Sequence, residues 1–162
     1  PVTSQLTLQP NLALSSNKNR ETLRSFDGEL QNLGSTDIAF SPNLVAANAI
    51  VYAPVKNFQV SLLSKFVGEQ FMSNTEAQSS KLASYFLNDL NLIYTINTDS
   101  IFDKVVFTAL VNNILNKKVV SNGYYYTFDD DYSNPGTIST VEGAGFYPQA
   151  GTNFLLGATF HF

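Results

Sequence analysis

Side chains that commonly carry out chemistry are few in this sequence, and they form no familiar catalytic set. The 162 residues contain no cysteine and a single histidine, His161, which excludes a disulfide, a thiolate–metal site and a Cys–His pair. A Ser/His/Asp triad would rest on His161 alone, and no glycine-rich phosphate motif or facing pair of carboxylates stands out. We therefore expect no enzymatic activity and no bound cofactor.

The segment YYYTFDDDYSNPG, residues 124–136, combines four tyrosines with three consecutive aspartates. Tyrosine offers a large contact area at low entropic cost, which predicts an extracellular ligand-binding loop that uses Tyr124, Tyr125, Tyr126 and Tyr132. The alternative is a solvated loop whose tyrosines lie at a membrane interface. Asp129 to Asp131 have the oxygen ligands that Ca²⁺ takes, but they lack the alternate spacing of an EF-hand loop, and we predict no metal site.

The composition is unusually apolar for a chain with so few charges. Hydrophobic residues make up 44% of the sequence and charged residues only 14%, against about 25% charged residues in ordinary soluble domains. The net charge is −4 and the sequence has no run of basic residues, so nucleic acid is not an expected partner. No segment reaches the 18 to 20 apolar residues of a membrane-spanning helix.

Alternation of apolar and polar residues predicts six long β-strands. The predicted strands cover approximately residues 3–15, 44–53, 58–70, 82–95, 103–112 and 154–162. Pro10 lacks a backbone N–H donor, which weakens the prediction that the first of these strands is a central one. The polar stretch 16–42 could carry short strands, but its charges and glycines favour a loop. The segment 113–151 is expected to be a long polar and aromatic connection, in which YYYTF and ISTV could hide two further strands.

Short and long connections alternate along this predicted chain path. Residues 53–57 and 97–100 form short turns, whereas 16–42, 72–81 and 113–151 are long. Bacterial outer-membrane barrels alternate in this way, with short periplasmic turns and long extracellular loops. The pattern therefore favours an all-β fold, an antiparallel transmembrane β-barrel segment. Its last strand would point Phe154, Leu156, Ala158, Phe160 and Phe162 to lipid.

Three stretches resemble one family of such barrels, the TonB-dependent outer-membrane receptors. LVNNILNKKVVSNGYYY, residues 110–126, resembles the family's penultimate-strand motif, with Val119 where the family often has tyrosine. GFYPQAGTNFLLGATFHF, residues 145–162, is similar to the C-terminus common in Bacteroidetes members, and FSPNLVAANAIVYAP, residues 40–54, is similar to another late strand. Together these stretches place most of the chain within the resemblance.

The resemblance implies that residues 1–162 correspond to the last six strands of a 22-stranded barrel in the bacterial outer membrane. The plug domain and the earlier strands of such a receptor would lie outside this sequence. The implied function is import of a scarce ligand, such as a siderophore–iron complex or cobalamin, with energy from TonB acting through the plug. The implied partners are outer-membrane lipid, the rest of the barrel and the plug.

The resemblance also gives the terminal strand a role in assembly. Phe154, Leu156, Phe160 and Phe162 match the C-terminal signal that the barrel-assembly machinery reads by strand addition. The alternative role for Phe162 is an interfacial aromatic anchor. Two other functions stay open for the chain as a whole. One is a complete eight-stranded barrel that acts as an adhesin or structural protein, and the other is a soluble β-sandwich that acts as a binding module.

Overall fold

The computed structural model describes residues 1–98 and 101–162, and they form antiparallel β-sheets. Twelve strands are present in this part of the chain, and the longest of them far exceed the usual five to six residues. They are β1 (Leu6–Leu14), β2 (Lys18–Phe26), β3 (Glu29–Asp37), β4 (Leu44–Val55), β5 (Phe58–Val67), β6 (Gln70–Phe71), β7 (Lys81–Leu82), β8 (Tyr85–Asn97), β9 (Lys104–Asn112), β10 (Val120–Asp130), β11 (Ser139–Pro148) and β12 (Asn153–His161). A single 3₁₀ turn spans Gln78–Ser80, and no helix in the described residues is long and apolar enough to cross a membrane.

The six predicted strands make one sheet, in the order β1-β4-β5-β8-β9-β12. Each strand is antiparallel to its neighbours, so the chain runs up and down across the sheet. The prediction of six long antiparallel strands is confirmed. The described residues close no barrel, because β1 and β12 lie at opposite ends of the strand order.

The ends of several strands differ from the prediction. The third predicted strand ends at Val67 instead of near residue 70, because residues 68 and 69 are not in a strand and β6 pairs with β7. The fourth begins at Tyr85 and not at Leu82. The predicted turn at 97–100 falls partly on Asp99 and Ser100, which lie outside the described residues.

The two longest connections are hairpins. The prediction of a loop at residues 16–42 is wrong, whereas the connection 113–151 contains the two further strands that the sequence left open. Residues 16–42 contain β2 and β3, which pair with each other across a two-residue turn at Asp27 and Gly28. Both turn residues have positive φ, at 52° and 79°, as a type I′ turn requires. Residues 113–151 contain β10 and β11, the two strands suspected at YYYTF and ISTV. These pair with each other and do not join the six-stranded sheet.

One face of the six-stranded sheet carries no charge. It consists of the even-numbered residues of β1, β4, β5, β8 and β12 and the odd-numbered residues of β9, which the registers place side by side. We call it the apolar face. Apart from Tyr52 and Tyr94, its polar side chains are Asn48, Ser64 and Asn88. The opposite face is mixed, and it carries Lys65, Asp89, Lys104 and His161 beside apolar residues.

Much of the apolar face is exposed, most strongly on the edge strands β1 and β12, whereas Asn88 and Val105 of the same face are buried. Leu12 is 65% exposed, Phe154 is 72% exposed and Leu156 is 77% exposed. The total accessible surface is 10726 Å², whereas a compact monomer of this mass would expose about 8,000 Å². The buried apolar side chains are few. Four of the five, Val67, Met72, Leu82 and Val119, lie where the sheet meets the hairpins.

Pro10 lies within β1 without weakening the pairing of β1 with β4. Ala53 donates its backbone N–H to the carbonyl oxygen of Gln5, and Ser15 donates to Asn43. Bonding residues alternate along an antiparallel strand, so the odd-numbered residues of β1 bond to β4. Pro10 is even-numbered and directs its ring nitrogen to the outer edge of the sheet, where the missing donor removes no hydrogen bond to β4.

Candidate functional site

The three long connections meet at one end of the six-stranded sheet and pack against each other. They are the β2–β3 hairpin, the segment 68–84 between β5 and β8, and the β10–β11 hairpin. Phe40 donates its N–H to the carbonyl of Phe71 at 2.8 Å, and Ala39 donates to the side-chain oxygen of Asn74 at 2.8 Å. These bonds join the first connection to the second, and Glu142 of the β10–β11 hairpin bonds to both Arg24 and Ser79. The three connections therefore form one cluster, which is the candidate site.

The tips of the two hairpins are joined by a hydrogen-bond network. Thr140 Oγ1 accepts from the N–H of Asp27 at 2.6 Å and donates to Asp129 Oδ1 at 2.6 Å, and the N–H of Thr140 donates to Asp27 Oδ1 at 2.8 Å. Ser25 donates its hydroxyl to the other carboxylate oxygen of Asp129. The backbone of Gly28 packs against the side chain of Ile138, since a Cβ built on Gly28 would lie 2.8 Å from Ile138 Cδ1.

An ion pair continues this contact below the tips. The guanidinium of Arg24 lies 2.6 Å from Glu142 Oε1, and Ser79 donates to Glu142 Oε2 at 3.0 Å. Arg24 also lies over the ring of Phe26, 4.8 Å from its centroid. Glu142 therefore ties the β2–β3 hairpin and the segment between β5 and β8 to the β10–β11 hairpin. We call the contacts of Ser25, Asp27 and Arg24 with Asp129, Thr140 and Glu142 the hairpin interface.

Two carboxylates of the hairpin interface have lowered pKa values. The hydroxyls of Ser25 and Thr140 lower the pKa of Asp129 below its ordinary value of 3.8, because they hydrogen-bond to the charged form. The hydroxyl of Ser79 does the same for the pKa of Glu142, whose ordinary value is 4.5. Ser25 of the β2–β3 hairpin is the first cause of the lowered pKa of Asp129, and Arg24 of the same hairpin contributes to that of Glu142, so contact between the hairpins favours the charged forms.

We expect the hairpins to separate in acid. A lowered pKa means that the contact is fully stabilised above the ordinary carboxylate pKa values and loses that stabilisation as the pH falls through the lowered ones. Pulsed EPR between spin labels on Gln31 and Ser133 should report a longer or broader distance near pH 3 than at pH 7. Labels on Asn122 and Ser133, within one hairpin, are the control. An unchanged Gln31–Ser133 distance would show that the carboxylates do not hold the contact.

The opposite side of the β10–β11 hairpin carries an exposed row of aromatic rings. Tyr124, Tyr126 and Phe128 follow each other along β10 with centroids 6.4 and 6.3 Å apart and planes inclined by 13°. Tyr147 of β11 lies 6.1 Å from Tyr124. We call these four residues the aromatic strip. Each ring is about half exposed, between 50% and 56%.

Two glycines of β11 make room for the rings. Gly145 lies opposite Tyr124 and Gly143 opposite Tyr126, and a Cβ built on either glycine would overlap the opposite tyrosine ring. The rings therefore cover bare backbone, in the manner of an aromatic side chain that shields a cross-strand glycine. This support holds the rings while leaving about half of each open to a ligand.

The four tyrosines predicted to contact a ligand lie in three different environments. They do not lie on a loop, since Tyr124, Tyr125 and Tyr126 belong to β10. Tyr124 and Tyr126 lie in the aromatic strip, whereas Tyr125 points to the other side of the hairpin. Burial, followed by the negative charge of Glu142, raises the pKa of Tyr125. Tyr132 is 90% exposed in the turn between β10 and β11.

The aspartate run makes local hydrogen bonds. Asp129 belongs to the hairpin interface, and Asp130 accepts from the backbone N–H groups of Tyr132 and Ser133 at 3.0 Å each. No group of three or more histidine, cysteine, aspartate or glutamate side chains in the described part of the chain is arranged to hold a metal ion. Asp129 and Asp130 are neighbours in the sequence, but their side chains point to opposite faces of β10 and therefore accept hydrogen bonds from different partners.

Of the residues predicted for barrel assembly, Phe154, Leu156 and Phe160 lie on the apolar face of β12, and Phe162 directly follows the strand. Phe154 pairs in register with Val111 and Leu156 with Ala109. Phe102 contacts both Phe160 and Phe162, with centroid distances of 5.0 and 4.9 Å, so these rings form a small aromatic cluster at the end of the sheet opposite the hairpins. Recognition of these residues by the barrel-assembly machinery stays a prediction.

Sequence reasoning missed two members of the aromatic strip and the whole hairpin interface. Phe128 could have been found by extending the period of two from Tyr124 and Tyr126. Tyr147 could not, because its neighbourhood depends on the register of β11 against β10. Comparisons of this chain with protein-family models, with curated proteins and with solved structures found no match.

Proposed function

We propose that this chain forms part of the wall of a transmembrane β-barrel in the bacterial outer membrane, within a TonB-dependent receptor. The observation that carries the proposal is the apolar face, which is uncharged over six antiparallel strands and largely exposed. Strands of 9 to 13 residues suit a tilted crossing of the hydrocarbon layer, which needs about 9 to 11 residues. Outer-membrane barrels turn such a face to lipid.

The arrangement of the connections supports the same proposal. β4 joins β5 through Lys56 and Asn57 at one end of the sheet, whereas the hairpins and the segment 68–84 cluster at the other end. In an outer-membrane barrel these would be the periplasmic and extracellular ends, respectively. Both outer edges, on β1 and β12, are unpaired in the described residues, and further strands of a larger barrel would satisfy them.

The two alternatives receive less support from the fold. An eight-stranded barrel built from this chain would need β10 and β11 in the main sheet, but these strands pair only with each other. A β-sandwich would need a second sheet over the apolar face, and the other sheets of the described residues have two strands each. A wall segment of a larger barrel requires neither arrangement.

In this proposal the receptor imports a scarce ligand, a siderophore–iron complex or cobalamin, and catalyses no reaction. The aromatic strip is the part of this chain that would touch the ligand. TonB would act through the plug, and the barrel-assembly machinery would recognise Phe154, Leu156, Phe160 and Phe162. The hairpin interface would hold the aromatic strip in place above the barrel.

Uptake measurements test the transport role. In cells that express the full-length protein, accumulation of radiolabelled ferric siderophore or cobalamin should require TonB. The double substitution Tyr124→Ala/Tyr126→Ala should weaken apparent ligand affinity by about tenfold, because aromatic anchors dominate contact energy. Tyr132→Ala is the comparison within the same hairpin, since that ring lies outside the aromatic strip, and a smaller loss of affinity is expected there. TonB-independent uptake, or none of any such ligand, would contradict the proposal.

A further inference from the structure

A basic groove lies where the six-stranded sheet meets the hairpins. One cavity of about 400 Å³ is lined by residues that include Lys81, Leu82, Tyr85, Lys118 and Phe146. A neighbouring cavity of about 280 Å³ shares Ser84, Tyr85, Lys118 and Val119 with it and adds Phe86 and Lys117. Since the two cavities share four residues, they form one continuous depression, which we call the junction groove.

The floor of the junction groove is apolar and its rim is cationic. Leu82 is 2% exposed and Val119 is 5% exposed, so both are fixed parts of the small core. Lys81, Lys117 and Lys118 supply three of the nine basic residues of the chain. None of the 13 acidic residues lines either cavity. The concentration of positive charge stands out in a chain with a net charge of −4.

Two of the three lysines have no carboxylate partner among the residues that the structure describes. Lys81 lies 2.9 Å from Glu69, which neutralises part of its charge. Lys117 and Lys118 are exposed and form no ion pair within the described residues. The backbone of Lys117 is nevertheless fixed, because Asn113 accepts from its N–H at 2.9 Å and donates to its carbonyl at 2.9 Å. The backbone of this turn is therefore fixed, and the charged ends of Lys117 and Lys118 are accessible to an anion.

The groove reaches the apolar face at Phe86, whereas Tyr85, which both cavities share, belongs to the mixed face of β8. Phe86 lines the smaller cavity and is an apolar-face residue of β8, 47% exposed and next to Phe66 in register. The groove thus opens at the end of the apolar face that adjoins the hairpins. If that face contacts lipid, as the proposed function holds, the lysines lie at the level of the lipid head groups.

We propose that the junction groove binds the phosphate-bearing head group of an anionic membrane lipid. Lys117 and Lys118 contact the phosphate, with help from Lys81, and the acyl chains follow the apolar face past Phe86. Basic side chains near a membrane surface attract anionic lipids, and the apolar floor accepts the glycerol and upper acyl carbons. This inference rests on the proposed membrane location and adds a specific lipid site to it.

Lipid binding to the protein in nanodiscs tests the site. Native mass spectrometry should detect phosphatidylglycerol retained in preference to phosphatidylcholine. The double substitution Lys117→Gln/Lys118→Gln should weaken phosphatidylglycerol retention on the order of tenfold, as each lost charge contributes several-fold. The matched control is Lys56→Gln/Lys104→Gln, which removes the same charge at the far end of the sheet and should leave retention unchanged.

A spin label at Leu156 separates this inference from the proposed function, because it reports contact with lipid regardless of head group. Equal retention of the two lipids, or equal loss in both double variants, overturns the head-group site even when the Leu156 label shows lipid contact. Soluble glycerol phosphate that displaces phosphatidylglycerol at similar concentration overturns the assignment to a lipid. Absence of lipid contact at Leu156 overturns the membrane proposal and the lipid site together.

Discussion

Replacement of Leu62 by arginine is expected to destabilise the protein in a bilayer by about 2–4 kcal/mol, the cost of a cation on the lipid face of a barrel near the membrane centre. Leu62 lies in a row of the apolar face that is entirely hydrophobic, with Ile50 and Leu90 as its direct neighbours. No carboxylate on this face could pair with the new charge. Unfolding by guanidinium in lipid vesicles measures the change.

Leu63 provides the matched control, since it is the next residue of the same strand and points to the mixed face. It is 39% exposed, and its partner in β8 is Asp89. An arginine there would meet water and a carboxylate of opposite charge, so we expect Leu63→Arg to change stability by at most about 1 kcal/mol. Equal destabilisation by the two substitutions would show that the apolar face does not contact lipid.

The six strands of the main sheet could be predicted because each one carries its own signal. Alternation with a period of two needs no information from elsewhere in the chain. It assigned Phe154 and Leu156 to one face of β12 and Gly157 to the other, as the structure has them. In β4 the period was ambiguous, because alanines and aliphatic residues occupy both phases. There the pairing with β1 and β5 decides which residues share the apolar face.

The β2–β3 hairpin was not predicted, because the polar composition of residues 16–42 favours a loop. The dipeptide Asp27-Gly28 is a strong local signal for a two-residue hairpin turn, and it was available in the sequence. Polar strands are possible here because the hairpin side chains pair with each other, as Arg24 does with Glu142. Those pairings join residues more than 100 positions apart, so no local sequence pattern predicts them.

The candidate sites show the same limit. Residue type pointed to Tyr124 and Tyr126, whose contact with a ligand stays a prediction, and their separation from Tyr125 follows from strand phase. The junction groove combines Lys81 with Lys117 and Lys118, which belong to different connections and form no basic run in the sequence. The sequence contains no run of basic residues, but the fold brings three lysines together in the junction groove.

Substitution of Gly123 by alanine is expected to open the base of the β10–β11 hairpin. A Cβ at this position would overlap the backbone carbonyl oxygen of Gly145 on the paired strand and lie 2.6 Å from the sulfur of Met72. A backbone atom cannot rotate away, and Met72 is buried. Overpacking of this kind costs about 1–3 kcal/mol, more than the roughly 0.4–1 kcal/mol that alanine gains through the unfolded state.

Gly157→Ala is the matched control for this effect. Its Cβ would meet only the hydroxyl oxygen of Thr108, at 2.8 Å, and that hydroxyl can rotate to another rotamer. Hydrogen exchange should therefore accelerate at Tyr124 and Tyr126 in the Gly123 variant and stay unchanged there in the Gly157 variant. The aromatic strip depends on the same strand pairing. Ligand affinity should therefore fall together with the hydrogen-exchange protection of β10. Normal exchange in Gly123→Ala would mean that the register of β10 and β11 differs from the one described.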